Sequence, residues 1–180
     1  NGKLEVTNGG NISGGDNTFN NGSSLTVSNG GLVSGGTNSI NSGSSITVEQ
    51  GGRVTGGTTT VASGATFDNA GIISDNADID ISTGDATNSG TISGGTVDIA
   101  NGGALENSGT ISGGTTTIAN GGSVTVTADG QITGGTVDAQ AGSTFSNSGT
   151  ISGNADIDIS TNDATNSGTI SGGTVDIANG

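Results

Sequence analysis

The chain has 180 residues, 38 of them Gly, with no Pro, Cys, His, Met, Trp or Tyr, and its 16 acidic residues against two basic ones give a formal net charge of -14. Phosphate backbones and anionic lipid surfaces are held by clustered Lys and Arg, so this balance argues against nucleic acid and against anionic membranes as partners. Absence of Cys excludes disulfides and thiolate metal sites, and no apolar run approaches the ~18 residues of a membrane span.

Low hydrophobicity with much Gly would suit disorder, but the apolar residues recur too regularly. The word "NSGTISGG" stands at 88–95, 107–114 and 166–173, with a near copy, "NSGTISGN", at 147–154. The apolar residue of these words and their relatives forms a first column: Ile12, Val33, Val54, Ile73, Ile92, Ile111, Ile132, Ile151 and Ile170, at steps of 19 or 21 residues. A second column follows seven or eight residues later: Phe19, Ile40, Val61, Ile81, Ile99, Ile118, Ala139, Ile159 and Ile177. A third lies six residues before each first-column member: Val6, Val27, Val48, Phe67, Ala86, Leu105, Val126, Phe145 and Ala164.

Around these centres "SLTVSN" at 24–29, "SITVEQ" at 45–50 and "ADIDIS" at 77–82 alternate outward and inward residues, as strands do. Val, Ile and Thr favour strands, and Gly every few residues excludes helix. The expected fold is all-β, a right-handed parallel β-helix (β-solenoid) with three strands per coil, 19–21 residues per coil and about nine coils. The left-handed form repeats strictly every six residues, which neither 19 nor 21 contains a whole number of times. One coil cannot bury its inner face, whereas stacked coils bury a continuous core. At ~4.8 Å per coil the rod would be roughly 43 Å long.

Each coil has its corners marked. Four residues after every third-column residue stands a Gly: Gly10, Gly31, Gly52, Gly71, Gly90, Gly109, Gly130, Gly149 and Gly168. A corner of positive φ, or one too tight for a Cβ, would demand this. Two residues after the first column Gly recurs at 14, 35, 56, 94, 113, 134, 153 and 172, with Asp75 in its place once. Asn follows the third column by two: Asn8, Asn29, Asn69, Asn88, Asn107, Asn147 and Asn166, with Gln50 and Ala128 as exceptions. Strand parity turns these amides inward and predicts a ladder of side-chain hydrogen bonds from coil to coil.

A longer repeat overlies the short one. Residues 64–102 match 142–180 with six differences at a shift of 78 residues, which is four whole coils. The chain therefore reads as one solenoid domain, 1–180, grown by tandem duplication. It starts at Asn1 without a signal peptide, and both ends fall within coils without a polar cap, as expected of a segment excised from a longer repetitive surface protein. Phe67 precedes Ala86 and Phe145 precedes Ala164 in one column, so large rings would spread over small neighbours. Coils of 21 carry an extra apolar residue, Leu25, Ile46 or Val124, which predicts a longer third strand there.

Chemistry is sparse. Without His, Cys or Tyr there is no ready base or nucleophile, and the only cations are Lys3 and Arg53. Carboxylate pairs need a shaped site with a cationic or aromatic partner, so the residues do not support an enzyme. Eight of the 16 acidic residues fall on one face beside the second column, interleaved with Thr. One reading is a solvated face that keeps the rod soluble. Another is calcium held between coils by Asp78, Asp80, Asp98, Asp138, Asp156, Asp158 and Asp176, since hard cations take carboxylate oxygens.

The words "VSNGGLVSGG" at 27–36, "IANGGSVTV" at 118–126 and "NSGTISGGTVDIANGG" at 88–103 resemble the passenger repeats of bacterial autotransporter adhesins, chiefly the self-associating AIDA type. The resemblance covers essentially the whole chain and is one of period and composition. It implies secretion, display at the bacterial cell surface, and cell–cell or cell–surface adhesion, with like chains or surface glycans and proteins as partners. No translocator barrel accompanies the repeats, and no discrete motif matches from which functional residues could be carried over. A calcium-stabilised spacer and a carbohydrate-acting β-helix enzyme stand as alternatives to an adhesive segment.

Overall fold

The computed structural model describes residues 2–178. The first coil runs through strands Lys3–Val6, Asn11–Ser13 and Asp16–Phe19, and the next coil repeats the path with Ser24–Val27, Leu32–Ser34 and Thr37–Ile40. Each of the three strands founds a sheet. All three sheets hold nine strands in coil order, every neighbouring pair is parallel, and the described residues contain no helix. The β-solenoid of about nine coils with three strands each stands as the sequence period predicts.

Alternation explains the core. Ser24–Val27, Ser45–Val48 and Thr58–Val61 each place every second residue inward and buried. In one 19-residue coil the buried large apolar side chains are Phe67, Ile73, Ile79 and Ile81, all at most 2% exposed. Burying each stabilises by about 1.5–3 kcal/mol, against about 1–2 kcal/mol per residue for ordering the backbone. A lone coil therefore falls short, and stacking supplies the missing contacts and the inter-coil hydrogen bonds.

The first and second expected columns are continuous. Ile73 lies beside Ile92 and Ile92 beside Ile111, while Phe19, Ile40 and Val61 follow one another in the third sheet. The third expected column is a composite of two. Leu25, Ile46, Phe67 and Ala86 form one inward row of the first sheet, continuing through Leu105, Val124 and Phe145 to Ala164. Val6, Val27, Val48, Asn69, Asn88, Asn107, Val126, Asn147 and Asn166 form the other. Phe67 does lie beside Ala86, and Phe145 beside Ala164.

The reason is the corner between the first and second sheets. Counting back six residues from the first column assumes a corner of constant length. From Val27 to Val33 the step is six, but from Asn69 to Ile73 it is four. The two residues that separate 21-residue from 19-residue coils lie in this corner. Strands Ser45–Val48 and Thr66–Asn69 are equally long, so the longer strand expected in 21-residue coils is a longer turn.

This also corrects the amide ladder. Asn8 and Asn29 belong to long corners, where they sit exposed with φ of 53° and 46°. Asn tolerates that left-handed conformation well, and neither side chain faces the core. The ladder proper belongs to the short corners. Asn69 donates through Nδ2 to Asn88 Oδ1, Asn88 to Asn107 Oδ1, and Asn147 to Asn166 Oδ1, each at 2.7 Å. Val126 interrupts it, because a long corner follows that residue.

Corner length dictates who satisfies the backbone. In long corners a Gly amide bonds back three residues, as Gly31 to the Ser28 carbonyl at 2.7 Å and Gly52 to that of Glu49 at 2.9 Å. Short corners have no room for this turn. There the first amide of each ladder run caps the corner, Asn69 Oδ1 accepting from the Gly71 amide at 3.2 Å and Asn147 Oδ1 from that of Gly149 at 3.1 Å. A second kind of short corner joins the third sheet to the first at 82–85 and 160–163, and buried hydroxyls serve it. Thr83 Oγ1 donates to the Ala65 carbonyl and accepts from the Asp85 amide, and Thr161 Oγ1 repeats the pattern with Ser143 and Asp163.

The nine corner glycines take no positive φ. Crowding explains all but Gly10, where an added Cβ would come no closer than 3.0 Å to the Thr7 carbonyl oxygen. A Cβ on Gly109 would fall on the Gly90 carbonyl oxygen, one on Gly31 on that of Val6, and one on Gly130 on that of Asn107. The glycines at 14, 35, 56, 94, 113, 134, 153 and 172 are the left-handed ones, with φ from 59° to 73°, and Asp75 joins them at 60°.

Candidate functional surface

The third sheet presents the Thr and Asp residues in two outward columns. Asp16, Thr37, Thr58 and Asp78 follow one another in the first, then Thr96, Thr115, Thr136 and Asp156. In the second, Thr18, Ser39, Thr60, Asp80, Asp98, Thr117, Asp138, Asp158 and Asp176 are consecutive neighbours. The sequence-derived acidic residues thus share one face, but in file. Asp80 lies beside Asp98, and Asp158 lies between Asp138 and Asp176.

Two of them are tied to threonines. Thr96 donates through both its amide and its Oγ1 to Asp78 Oδ1, at 3.1 and 2.9 Å. Thr60 Oγ1 donates to Asp80 Oδ2 at 3.3 Å. Partial burial pushes the Asp80 carboxyl above the ordinary carboxylate range, the Thr60 hydrogen bond opposes this, and the charges of Asp98 and Asp78 add to the rise. Asp156, Asp158 and Asp176 are exposed. Among the described residues no group of three carboxylates is placed to hold a metal ion. Side chains in a file along one sheet face a common direction, whereas calcium takes six to eight oxygens around it.

Threonine–carboxylate bonds between coils also mark the first sheet. Thr66 Oγ1 donates to Asp85 Oδ2 at 3.3 Å, Thr87 Oγ1 to Asp68 Oδ1 at 2.8 Å, and Thr144 Oγ1 to Asp163 Oδ2 at 3.1 Å. Sequence reasoning examined only the third-sheet face for such pairs. The signal was present as a Thr and an Asp 19 residues apart at outward positions. A buried polar row was missed as well. Asn17 Nδ2 donates to Asn38 Oδ1 at 3.0 Å, and Thr59 follows Asn38 in the same inward column of the third sheet.

Two surface depressions carry carboxylates. One beside the acidic face is lined by Asp80, Asp98, Ile99, Ala100, Thr117, Ala119 and Gln140. Another, on the first sheet, is lined by residues that include Asp85 and Glu106. Neither includes Lys3, Arg53 or a Phe. Arg53 lies on the second sheet with its guanidinium 3.4 Å from Ser74 Oγ. Within these two depressions the carboxylates have no cationic or aromatic residue beside them of the kind a sugar-cleaving pair uses.

No family model matches the sequence, and no curated protein matches it. Among solved structures the chain is similar to the crystal structure of a TibC-catalysed hyper-glycosylated TibA55-350 fragment, at 19% identity over 98% of this chain and 92% of that one, with a TM-score of 0.20.

Proposed function

We propose that the chain is a structural and adhesive segment of a bacterial cell-surface protein, holding cells to one another or to surfaces by many weak contacts along an extended rod. One observation carries the reading. Nine stacked coils offer three parallel sheets whose outward residues are mostly Thr, Ser, Asn and Asp in straight files. A file of short hydroxyls, amides and carboxylates repeating at ~4.8 Å suits contacts made many times over. Each such hydrogen bond contributes only about 0.5–1.5 kcal/mol net, so useful strength requires repetition along the rod. The resemblance of the repeats to autotransporter passenger words supports an extracellular, surface-displayed location.

The test is display of the segment on a non-aggregating bacterium, beside an inert rod of equal length. Faster settling of the cells, or retention on abiotic or glycan-coated surfaces, is the expected result. Cells that neither settle nor adhere would leave the rod as a spacer, and cleavage of any member of a polysaccharide panel by the purified chain would overturn the reading. Sedimentation of the purified segment across a salt series adds a second arm. The charge of -14 opposes association at low salt, and screening relieves it as salt rises.

A further inference from the structure

Asn-Gly dipeptides carry a latent reaction: the Gly nitrogen can attack the preceding Asn side chain when the amide is free to deprotonate and approach. In this fold most Asn-Gly corners are latched against it by the neighbouring coil. At Asn101–Gly102 the Gly102 amide donates to the Gly121 carbonyl at 3.1 Å, and Asn101 Nδ2 donates to the Asn120 carbonyl at 3.1 Å. At Asn120–Gly121 the corresponding bonds run to Gly142 at 2.9 Å and to Ala141 at 3.0 Å. At Asn29–Gly30 the Gly30 amide donates to the Gly51 carbonyl at 2.8 Å.

Asn8–Gly9 and Asn21–Gly22 depart from this pattern: neither Gly amide has a backbone partner among the described residues, and both Asn residues are exposed. At Asn8–Gly9 the bond to the next coil is displaced by one residue, the amide of Asn8 itself donating to the Asn29 carbonyl at 3.1 Å. Gly9 is exposed as well, and a Cβ added to it would meet nothing within 4 Å, so water reaches the corner freely.

We propose that Asn8, and with it Asn21, is a site of spontaneous deamidation in the folded rod, while Asn29, Asn101 and Asn120 are protected by their coil-to-coil hydrogen bonds. The deprotonated Gly9 nitrogen attacks Asn8 Cγ. A Cγ–N bond forms, the Cγ–Nδ2 bond breaks, and ammonia leaves with the proton, giving a succinimide. Water then adds to one of the two imide carbonyls and opens the ring to an aspartate or an isoaspartate at position 8. No oxidant or reductant is consumed. The product adds one negative charge to an already acidic rod, and the isoaspartate route also lengthens the corner backbone by one methylene.

Breaking one or two latching bonds before attack should slow the protected sites roughly tenfold or more relative to Asn8. The purified chain is incubated in mildly alkaline buffer, and peptides are mapped by mass spectrometry with fragment-ion localisation and isoaspartate-specific methylation. Conversion at Asn8 and Asn21 should lead that at Asn101 and Asn120 by at least this factor in the folded protein. In concentrated urea the lead should vanish. Equal rates in the folded chain would overturn the proposal. So would a lead that persists in urea, which would assign the selectivity to local sequence. An Asn8→Ser, Asn21→Ser double variant should lose the fast phase, and retention of that phase would also overturn it.

Discussion

Asn69 donates through Nδ2 to Asn88 Oδ1 across 2.7 Å, and neither side chain is more than 1% exposed. Asn88 in turn donates to Asn107. Asn88→Val would place in this row the residue found at Val27 and Val48, yet at a corner two residues shorter. It would orphan a donor on Asn69 and an acceptor on Asn107, costing about 2–6 kcal/mol at 1–3 per buried unsatisfied group. Asn166→Val, at an exposed rung, should cost less than about 1 kcal/mol. Urea midpoints for the two variants compare them. Equal losses would mean that the ladder contributes little beyond shape.

The two glycine sets should separate by substitution. Gly109→Ala drives a Cβ onto the Gly90 carbonyl oxygen and should cost on the order of 1–3 kcal/mol through backbone strain. Gly113 has φ of 64° with nothing within 4 Å of an added Cβ. Gly113→Asn should therefore cost less than about 1 kcal/mol, since Asn visits this region readily. Melting temperatures that rank the pair the other way would count against the division into crowded and left-handed corners.

Asp80 sets a pH dependence with a definite sign. Its carboxyl is raised above the ordinary range in the folded chain, chiefly by burial. The folded state therefore holds that proton more tightly than the unfolded state. The corresponding stability is fully present below the unfolded value of ~3.9 and is lost as pH rises through the folded one. At neutral pH, Asp80→Asn should stabilise by at most about 1 kcal/mol, given solvent screening, while Thr60 keeps an acceptor. The advantage should vanish in strong acid. Thermal melts across pH test this, and an Asn variant less stable at neutral pH would contradict it.

Millimolar calcium should leave the melting temperature where matched magnesium leaves it, because the acidic face is a file without a three-carboxylate cluster among the described residues. A calcium-specific rise, abolished by Asp156→Asn with Asp158→Asn, would reinstate the metal reading through mass action.

Periodicity made most of the fold legible. Every first- and second-column residue could be read because the distances from Ile92 to Ile99 and from Ile111 to Ile118 hardly vary. The row containing Asn69 and Val48 was not, since a word such as "VSNGG" and a word such as "NSGT" both place a Gly before the same first-column strand. Only pairing shows that Val48, not Gln50, lies beside Asn69. The Asp file was visible from strand parity, but the Thr60 and Thr96 hydrogen bonds depend on side-chain rotamers that a pattern does not encode. The latch displaced to the Asn8 amide likewise depends on a local shift of one residue between coils.

The coil ladder also determines how the rod behaves under tension. The strands lie across the axis, so a pull along it loads the hydrogen bonds between successive coils rather than the covalent chain. A 19-residue coil that detaches releases roughly 65 Å of contour at ~3.4 Å per residue, in exchange for ~4.8 Å of axial rise. Coils peel one after another because each is held by its neighbours alone. A pull on the rod would thus be met by stepwise lengthening before any bond of the backbone is strained, and slack would be taken up again as coils restack on the template still standing.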